Sequence, residues 1–178
     1  NEEATTDTTG AFDTGYGVGA TYVTTAGDST VTVGAGYSAA DYIGTSLTKD
    51  ESGGHFGISA VTGDLTVAAA YGSGDTITTT TNPAQKDSDA TEVGVKYVSG
   101  DLTFNVGHLT SSSVDEDFGT AGTGVKDEKT HTSASVDYVI ASGVTGTVGY
   151  RDQTGQNEGA ETTTESGTSW YIGANISF

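Results

Sequence analysis

The C-terminal ten residues are the segment that most constrains how this chain can fold. From Ser169 onward, apolar side chains alternate with small or polar ones up to the last residue, Phe178. Successive side chains of a β-strand point to opposite faces, so the pattern predicts a strand between an apolar and a polar environment. One face carries Trp170, Ile172, Ala174, Ile176 and Phe178, and the other carries Tyr171, Gly173, Asn175 and Ser177.

The composition favours strands and turns in the rest of the chain as well. Apolar residues are 33% of the total, glycines number 27, and Pro83 is the single proline. No segment approaches the ~20 consecutive apolar residues of a transmembrane helix, which excludes a helical membrane protein. Cysteine is absent, which excludes disulfides and thiolate metal sites. The net charge of −18 argues against nucleic acid as a partner, because phosphate contacts need clustered Lys and Arg.

Four short turns divide the chain into hairpins. In three of them Gly-Asp is flanked by alternating segments, and glycine at the first central position supplies the positive φ of a type II′ turn. A two-residue loop also fixes the register, because it pairs the two residues that flank it and places them on one face. The fourth turn ends in Gly143, which suits the left-handed position of a three-residue turn with a bulge. The turns contain Ala26-Gly27-Asp28, Thr62-Gly63-Asp64, Ser99-Gly100-Asp101 and Ala141-Ser142-Gly143.

Counting outward from the turns gives every hairpin one apolar face and one small, polar face. Short and long connections alternate, and of 24 acidic residues only Asp137 falls inside a predicted strand, while the others lie in loops, in turns or at strand ends. The nine predicted strands cover residues 16–24, 29–37, 55–61, 65–71, 92–98, 102–109, 131–140, 144–150 and 168–178. Aromatic side chains bracket the apolar face at two heights: Tyr22, Tyr97, Tyr138 and Phe178 near the short turns, and Tyr16, Tyr37, Phe56, Tyr71, Tyr150 and Trp170 near the long loops.

With these hairpins, aromatic rows and terminal strand, the chain resembles the C-terminal half of a Gram-negative general porin, most similar to the 16-stranded trimeric type of alphaproteobacteria. The resemblance implies an all-β fold, a transmembrane antiparallel β-barrel with short periplasmic turns, long outer loops and an apolar band toward lipid. It also implies an integral outer-membrane protein through which small hydrophilic solutes diffuse passively, with no cofactor required. In that family the barrel-assembly machinery reads the terminal strand, which assigns the assembly signal here to Trp170, Ile172, Ile176 and Phe178.

Strand parity favours a fragment of a larger barrel. Nine strands cannot close in the even-numbered way usual in this family, and an open sheet leaves two unpaired edges that lipid cannot satisfy. We therefore expect residues 1–178 to be the C-terminal portion of one porin domain, with residues 1–14 in an outer loop. The absence of Met and of a signal peptide also indicates a processed chain or a fragment. The expected partners are the missing N-terminal half of the barrel, lipid and lipopolysaccharide, the assembly machinery, and further copies in a homotrimer.

Few charged side chains are predicted on the polar face, which in a porin is the wall of the channel. The turn register places Lys96 opposite Asn105 and Asp137 opposite Thr147. As pore-lining groups, such side chains set the electric field felt by a passing ion. For each candidate residue, the alternative is a solvated or salt-bridged side chain with no role in permeation. The candidates are Lys96, Asn105, His131, Asp137 and Arg151.

One long connection concentrates five carboxylates, those of Asp115, Glu116, Asp117, Asp127 and Glu128. Carboxylate oxygens suit Ca²⁺ or Mg²⁺, which would bridge these acids to lipopolysaccharide phosphates. The spacing does not match an EF-hand loop, so a solvated acidic loop is the alternative.

A non-enzymatic porin with a mild preference for cations is therefore the expected function, since the net charge of −18 predicts a negative outer mouth. His55, His108 and His131 raise the alternative of an outer-membrane hydrolase, but no nucleophile motif accompanies them. Two further interpretations compete with the porin. One is a small barrel or adhesin of the same membrane with ion-binding acidic loops, and the other is a secreted, soluble, calcium-binding β-sandwich.

Overall fold

The computed structural model describes residues 11–43, 51–76, 86–114, 126–157 and 163–177. In these ranges, nine strands pair in sequence order into one antiparallel sheet, with β1 and β9 at its edges. No helix there is long and apolar enough to cross a membrane. The strands are β1 (Ala11–Ala26), β2 (Ser29–Ile43), β3 (Glu51–Thr62), β4 (Leu65–Thr76), β5 (Lys86–Ser99), β6 (Leu102–Val114), β7 (Lys126–Ala141), β8 (Val144–Asn157) and β9 (Thr163–Ile176).

The four short turns have the predicted geometry. Gly27, Gly63 and Gly100 adopt φ values of 61°, 55° and 59°, while no other residue type has a positive φ in the described ranges. Positive φ at the first central residue alone is the signature of a type II′ turn, so the predicted turn type is confirmed. In the fourth turn Gly143 has φ 77°, and the β7–β8 register shifts between Val139 and Ala141. This is the predicted bulge, and it keeps the apolar side chains of the hairpin on one face.

Backbone hydrogen bonds also join the last three short turns to the strand that begins the next hairpin or ends the sheet. The Val98 N–H donates to the Asp64 carbonyl at 3.0 Å, and the Val139 N–H donates to the Asp101 carbonyl at 2.9 Å. The Ser177 N–H donates to the Gly143 carbonyl at 2.9 Å. These bonds continue the ladders into the turns, so the turn end of the sheet forms one hydrogen-bonded rim.

The strands are longer than predicted at the ends that face the long connections. There they extend four to seven residues past the predicted limits, so residues 11–14, expected in a loop, belong to β1. The prediction that only Asp137 lies inside a strand is therefore wrong, since Glu92 and Asp152 are also paired strand residues. Backbone pairing continues where the apolar alternation stops, because ladder hydrogen bonds do not require apolar side chains. β9, in contrast, ends at Ile176 rather than at 178, and Phe178 lies outside the described residues.

The apolar face of the sheet is uncovered. No hydrophobic side chain is buried in the described ranges, and Trp170 and Ile172 are 76% and 87% exposed. A soluble β-sandwich packs such a face against a second sheet about 10 Å away. The described sheet lacks the core that this competing interpretation requires.

Candidate functional site

The face opposite the apolar one, which we call the polar face, carries the predicted site residues. One register row across it contains Lys96 (β5), Asn105 (β6), Ser135 (β7), Gly149 (β8) and Tyr171 (β9). The Gly100-Asp101 turn fixes the pairing of Lys96 with Asn105, as predicted. The pairings across β6–β7 and β8–β9 follow long connections and bring further side chains into the same row.

Four polar side chains on β6, β7 and β8 form a hydrogen-bonded group, which we call the Asp137 cluster: Asn105, Ser135, Asp137 and Thr147. Asn105 Nδ2 donates to Asp137 Oδ2 at 2.9 Å and to Ser135 Oγ at 3.2 Å. Thr147 Oγ1 donates to Asp137 Oδ1 at 2.6 Å. Both carboxylate oxygens of this half-buried residue thus accept a hydrogen bond from a neutral donor. The cluster holds a carboxylate at a fixed orientation on the polar face, and no cation of the described strands lies beside it.

The other predicted pore-lining residues lie outside the cluster. Lys96 is exposed opposite Thr66 and Asn105, and it makes no ion pair with any described residue. Arg151 is exposed between Ser133 and Ser169, one row further toward the long connections. His131 is half-buried between Leu109 and Gln153, one row further again. The structure therefore brings Asn105 and Asp137 together and spreads Lys96, Arg151 and His131 along the face.

Three polar-face residues have contacts or positions that the sequence alone did not predict. The Tyr171 ring lies over Gly149, which is buried, and the His55 ring lies over Gly36 in the same way. An aromatic ring that covers a strand glycine replaces the side-chain packing that glycine lacks. Glu92 lies between Ala70 and Leu109 within β5, although the sequence analysis placed it at a strand end. A glycine opposite an aromatic residue is the signal, but reading it requires the register across a long connection.

From β1 to β5 the polar face carries few large side chains. A recess of about 640 Å³ is lined there mainly by glycine, alanine, serine and threonine, with His55 and Glu92 as its titratable residues. The small residues that belong to the polar face here include Gly19, Gly34, Gly57, Ala68, Ala70 and Gly94. The backbone itself forms most of this wall.

A sheet with one uncovered apolar face and one polar face is typical of a membrane β-barrel, and the comparison with known families agrees. A family model of Gram-negative porins matches residues 1–158. The chain belongs to this family. A porin is an outer-membrane β-barrel protein, so the predicted family, fold class and location are confirmed. The 16-stranded alphaproteobacterial type and the trimer stay predictions.

A solved structure is similar to this porin chain over most of its length. It is a loop L8 deletion mutant of OmpT, an outer membrane protein of Vibrio cholerae, with a TM-score of 0.59 and 20% sequence identity. The likeness covers 88% of this chain and 51% of that one, so the porin chain spans about half the length of the structure it matches. No curated protein matches this chain. At this identity, the likeness shows the fold alone.

The apolar face of the porin carries the predicted aromatic rows. The rings of Tyr150 and Trp170 have their centroids 4.9 Å apart, and those of Tyr16 and Tyr37 are 6.3 Å apart. Cross-strand pairing places Tyr71 opposite Phe56 near the long connections. At the other height, Tyr97 lies opposite Leu65 and Tyr138 opposite Leu102, while Tyr22 lies opposite Val33. The assignment of these residues to two lipid-interface girdles stays a prediction, as does the assembly role of Trp170, Ile172 and Ile176 on the edge strand β9.

The acidic candidates lie mostly outside the described part of the porin. Asp115, Glu116 and Asp117 are outside it, whereas Asp127 and Glu128 lie near the start of β7. One oxygen of Asp127, Oδ1, is buried and has no hydrogen-bond partner in the described ranges. No group of three or more His, Asp or Glu side chains within those ranges is arranged to hold a metal ion. The calcium site thus stays a prediction.

Proposed function

We propose that this porin chain forms part of the wall of a water-filled channel for the passive diffusion of small hydrophilic solutes and ions. The observation that carries the proposal is the contrast between its two faces. The apolar face buries no side chain in the described ranges and suits lipid, whereas the polar face presents hydroxyls, amides and charges that suit water. A non-enzymatic channel is the function that family membership favours.

Further strands are needed to complete such a channel. β1 and β9 are the edges of the described sheet, and backbone N–H and C=O groups on an edge cannot be left unpaired in lipid. The matched part is 51% of the similar structure, which supports strands supplied by a longer chain. We propose a 16-stranded closed barrel, assembled into trimers by the barrel-assembly machinery and surrounded by lipid and lipopolysaccharide.

A mild cation preference follows from the charges on the polar face. Asp137 is held by neutral donors, so its negative charge is not cancelled by a neighbouring cation in the described residues. A unit charge changes the energy of an ion 4 Å away in water by about 1 kcal/mol, which corresponds to roughly a fivefold change in the local concentration of that ion. Screening limits this effect to about 8 Å at physiological salt, so only ions close to the wall feel it. Calcium bound at the acidic connection would weaken the same preference.

Planar-bilayer recordings test both parts of the proposal. The intact channel that contains this chain should give stepwise conductance, and its reversal potential in a KCl gradient should favour cations. Asp137→Asn should reduce the cation-over-anion permeability ratio by up to roughly fivefold. Asp152→Asn is the matched control, because it removes the same charge from the opposite face of the neighbouring strand.

Either of two results would contradict the proposal. Absence of conductance steps from correctly assembled protein would favour a plugged barrel or an adhesin over a channel. Clear anion preference of the unmodified channel would leave the channel standing and overturn the assignment of its selectivity to Asp137.

A further inference from the structure

A second recess lies on the polar face, close to the long connections of β7, β8 and β9. It has a volume of about 530 Å³, and its polar-face lining includes Lys129, His131, Gln153 and Glu165. Its nearest row, that of His131 and Gln153, is two rows from the Ser135 row of the Asp137 cluster, and none of these four side chains belongs to that cluster.

Two opposite charges face each other across this recess. Lys129 on β7 and Glu165 on β9 lie in one register row, with Gly155 of β8 between them. Two strand spacings separate their backbones by about 10 Å. Both side chains are exposed, and neither makes a hydrogen bond or an ion pair with another described residue. The row therefore offers one cationic and one anionic group that are free to hold a third molecule between them.

The floor between these charges is open. A methyl group added at Gly155 or at Gly167 would meet no atom within 4 Å. No side chain of the central strand therefore blocks the space between Lys129 and Glu165. His131 and Gln153 pair with each other across β7–β8 at one side of the gap and provide further hydrogen-bonding groups.

We propose that this recess is a subsite for small zwitterions, meaning solutes with one ammonium and one carboxylate group, such as free α-amino acids. The Lys129 ammonium pairs with the solute carboxylate, and the Glu165 carboxylate pairs with the solute ammonium. A solute with a single charge satisfies only half of the site. Asp127 precedes Lys129 by two residues on the same face, so its negative charge disfavours dianionic solutes. The inference rests on the proposed channel function and adds a preference among the solutes that pass.

Solute flux into liposomes containing the intact channel tests the subsite. Alanine and lactamide are isomers, so they match in size, but only alanine carries the two charges. Alanine flux should saturate with concentration, and lactamide flux should rise linearly. Lys129→Gln and Glu165→Gln should each raise the half-saturating alanine concentration by about two- to fivefold, the range for one exposed charge contact.

Two controls separate specific binding from a general change in charge. Asp152→Asn removes a charge from the apolar face of β8 and should leave alanine saturation unchanged. The double exchange Lys129→Glu with Glu165→Lys keeps one charge of each sign, so the solute binds in the reversed orientation and saturation should return to within about twofold of the unmodified channel.

The outcomes distinguish failure of the subsite from failure of the channel. Alanine flux that is linear and equal to lactamide flux, in a channel that conducts, overturns the subsite alone. Unchanged alanine saturation in both single variants also overturns it. A protein that passes neither solute and gives no conductance steps overturns the proposed function, and the subsite falls with it.

Discussion

The polar face differs between its two halves. On β1 to β5 it consists largely of backbone and of glycine, alanine, serine and threonine around a recess of about 640 Å³. On β6 to β9 it carries the Asp137 cluster, whose carboxylate accepts hydrogen bonds from two neighbouring strands. Both halves have short-turn hairpins, a sequential strand order, an uncovered apolar face and one glycine under an aromatic ring, Gly36 under His55 and Gly149 under Tyr171. In the proposed channel, the first half would therefore contribute open volume and the second half an oriented charge, and we expect that the two properties can be changed separately.

The largest effect is expected where a glycine on the crowded wall is covered. Gly149→Ala places a methyl group in the space of the outer end of the Tyr171 ring, which is 41% exposed and must turn away from the strand. The cross-strand contact is lost, so the free energy of unfolding should fall by up to about 1 kcal/mol. Gly57→Ala on the open wall is the control, since its added methyl group would meet its nearest atoms at 3.6 and 3.7 Å, which is ordinary contact. Urea unfolding in lipid vesicles measures both variants.

A double mutant identifies the ring as the cause of that loss. In a Tyr171→Ala background, Gly149→Ala should lower the free energy of unfolding less than it does alone, because the added methyl group no longer meets the Tyr171 ring. Equal costs in the two backgrounds, or equal costs for Gly149→Ala and Gly57→Ala, would mean that the two walls do not differ in packing as described.

An intermediate effect is expected from filling the open wall. Ala68→Trp adds a large ring within the recess of β1 to β5 and should lower the height of the single-channel conductance step. Ala69→Trp is the matched control, because the next residue of the same strand points to the apolar face. If both variants lower the conductance equally, the recess does not contribute to the conducting path.

The smallest effect is expected from loosening the fixed charge without removing it. Asn105→Ala deletes the donor to Asp137 Oδ2 and leaves the Thr147 donor in place. The carboxylate keeps its charge and loses part of its orientation, so the reversal potential should shift in the same direction as in Asp137→Asn and by a smaller amount. A shift equal to that of Asp137→Asn would show that Asn105, rather than the carboxylate charge, controls selectivity.

The parts of the sheet joined by short turns could be predicted from the sequence. A Gly-Asp turn fixes both the hand of the loop and the residue pairing beside it, so the pairing of Lys96 with Asn105 followed by counting. The same counting gave the Asp137–Thr147 contact across the Gly143 turn. The residues of a turn determine its type and the pairing beside it within a short segment, so both can be predicted from one sequence.

The contacts across long connections could not be predicted in this way. The bond from Asn105 to Asp137 joins β6 to β7, and the Tyr171 ring over Gly149 joins β9 to β8. No short turn sets the register in either case, and hydrophobic alternation specifies only the face and not the partner. Strand ends near the long connections were misplaced for a related reason, because backbone pairing there continues under polar side chains such as Glu92.

The strictly sequential strand order has a consequence for how the barrel is made. Every strand in the described sheet pairs only with the strands before and after it in the chain. The entropy lost on closing a loop rises slowly with its length, so each new hairpin docks onto the preceding one at a similar, modest cost. Only the junction that seals the barrel must join strands far apart in sequence, and such non-local contacts form slowly. We therefore expect sealing to be the slow step when the proposed barrel assembles.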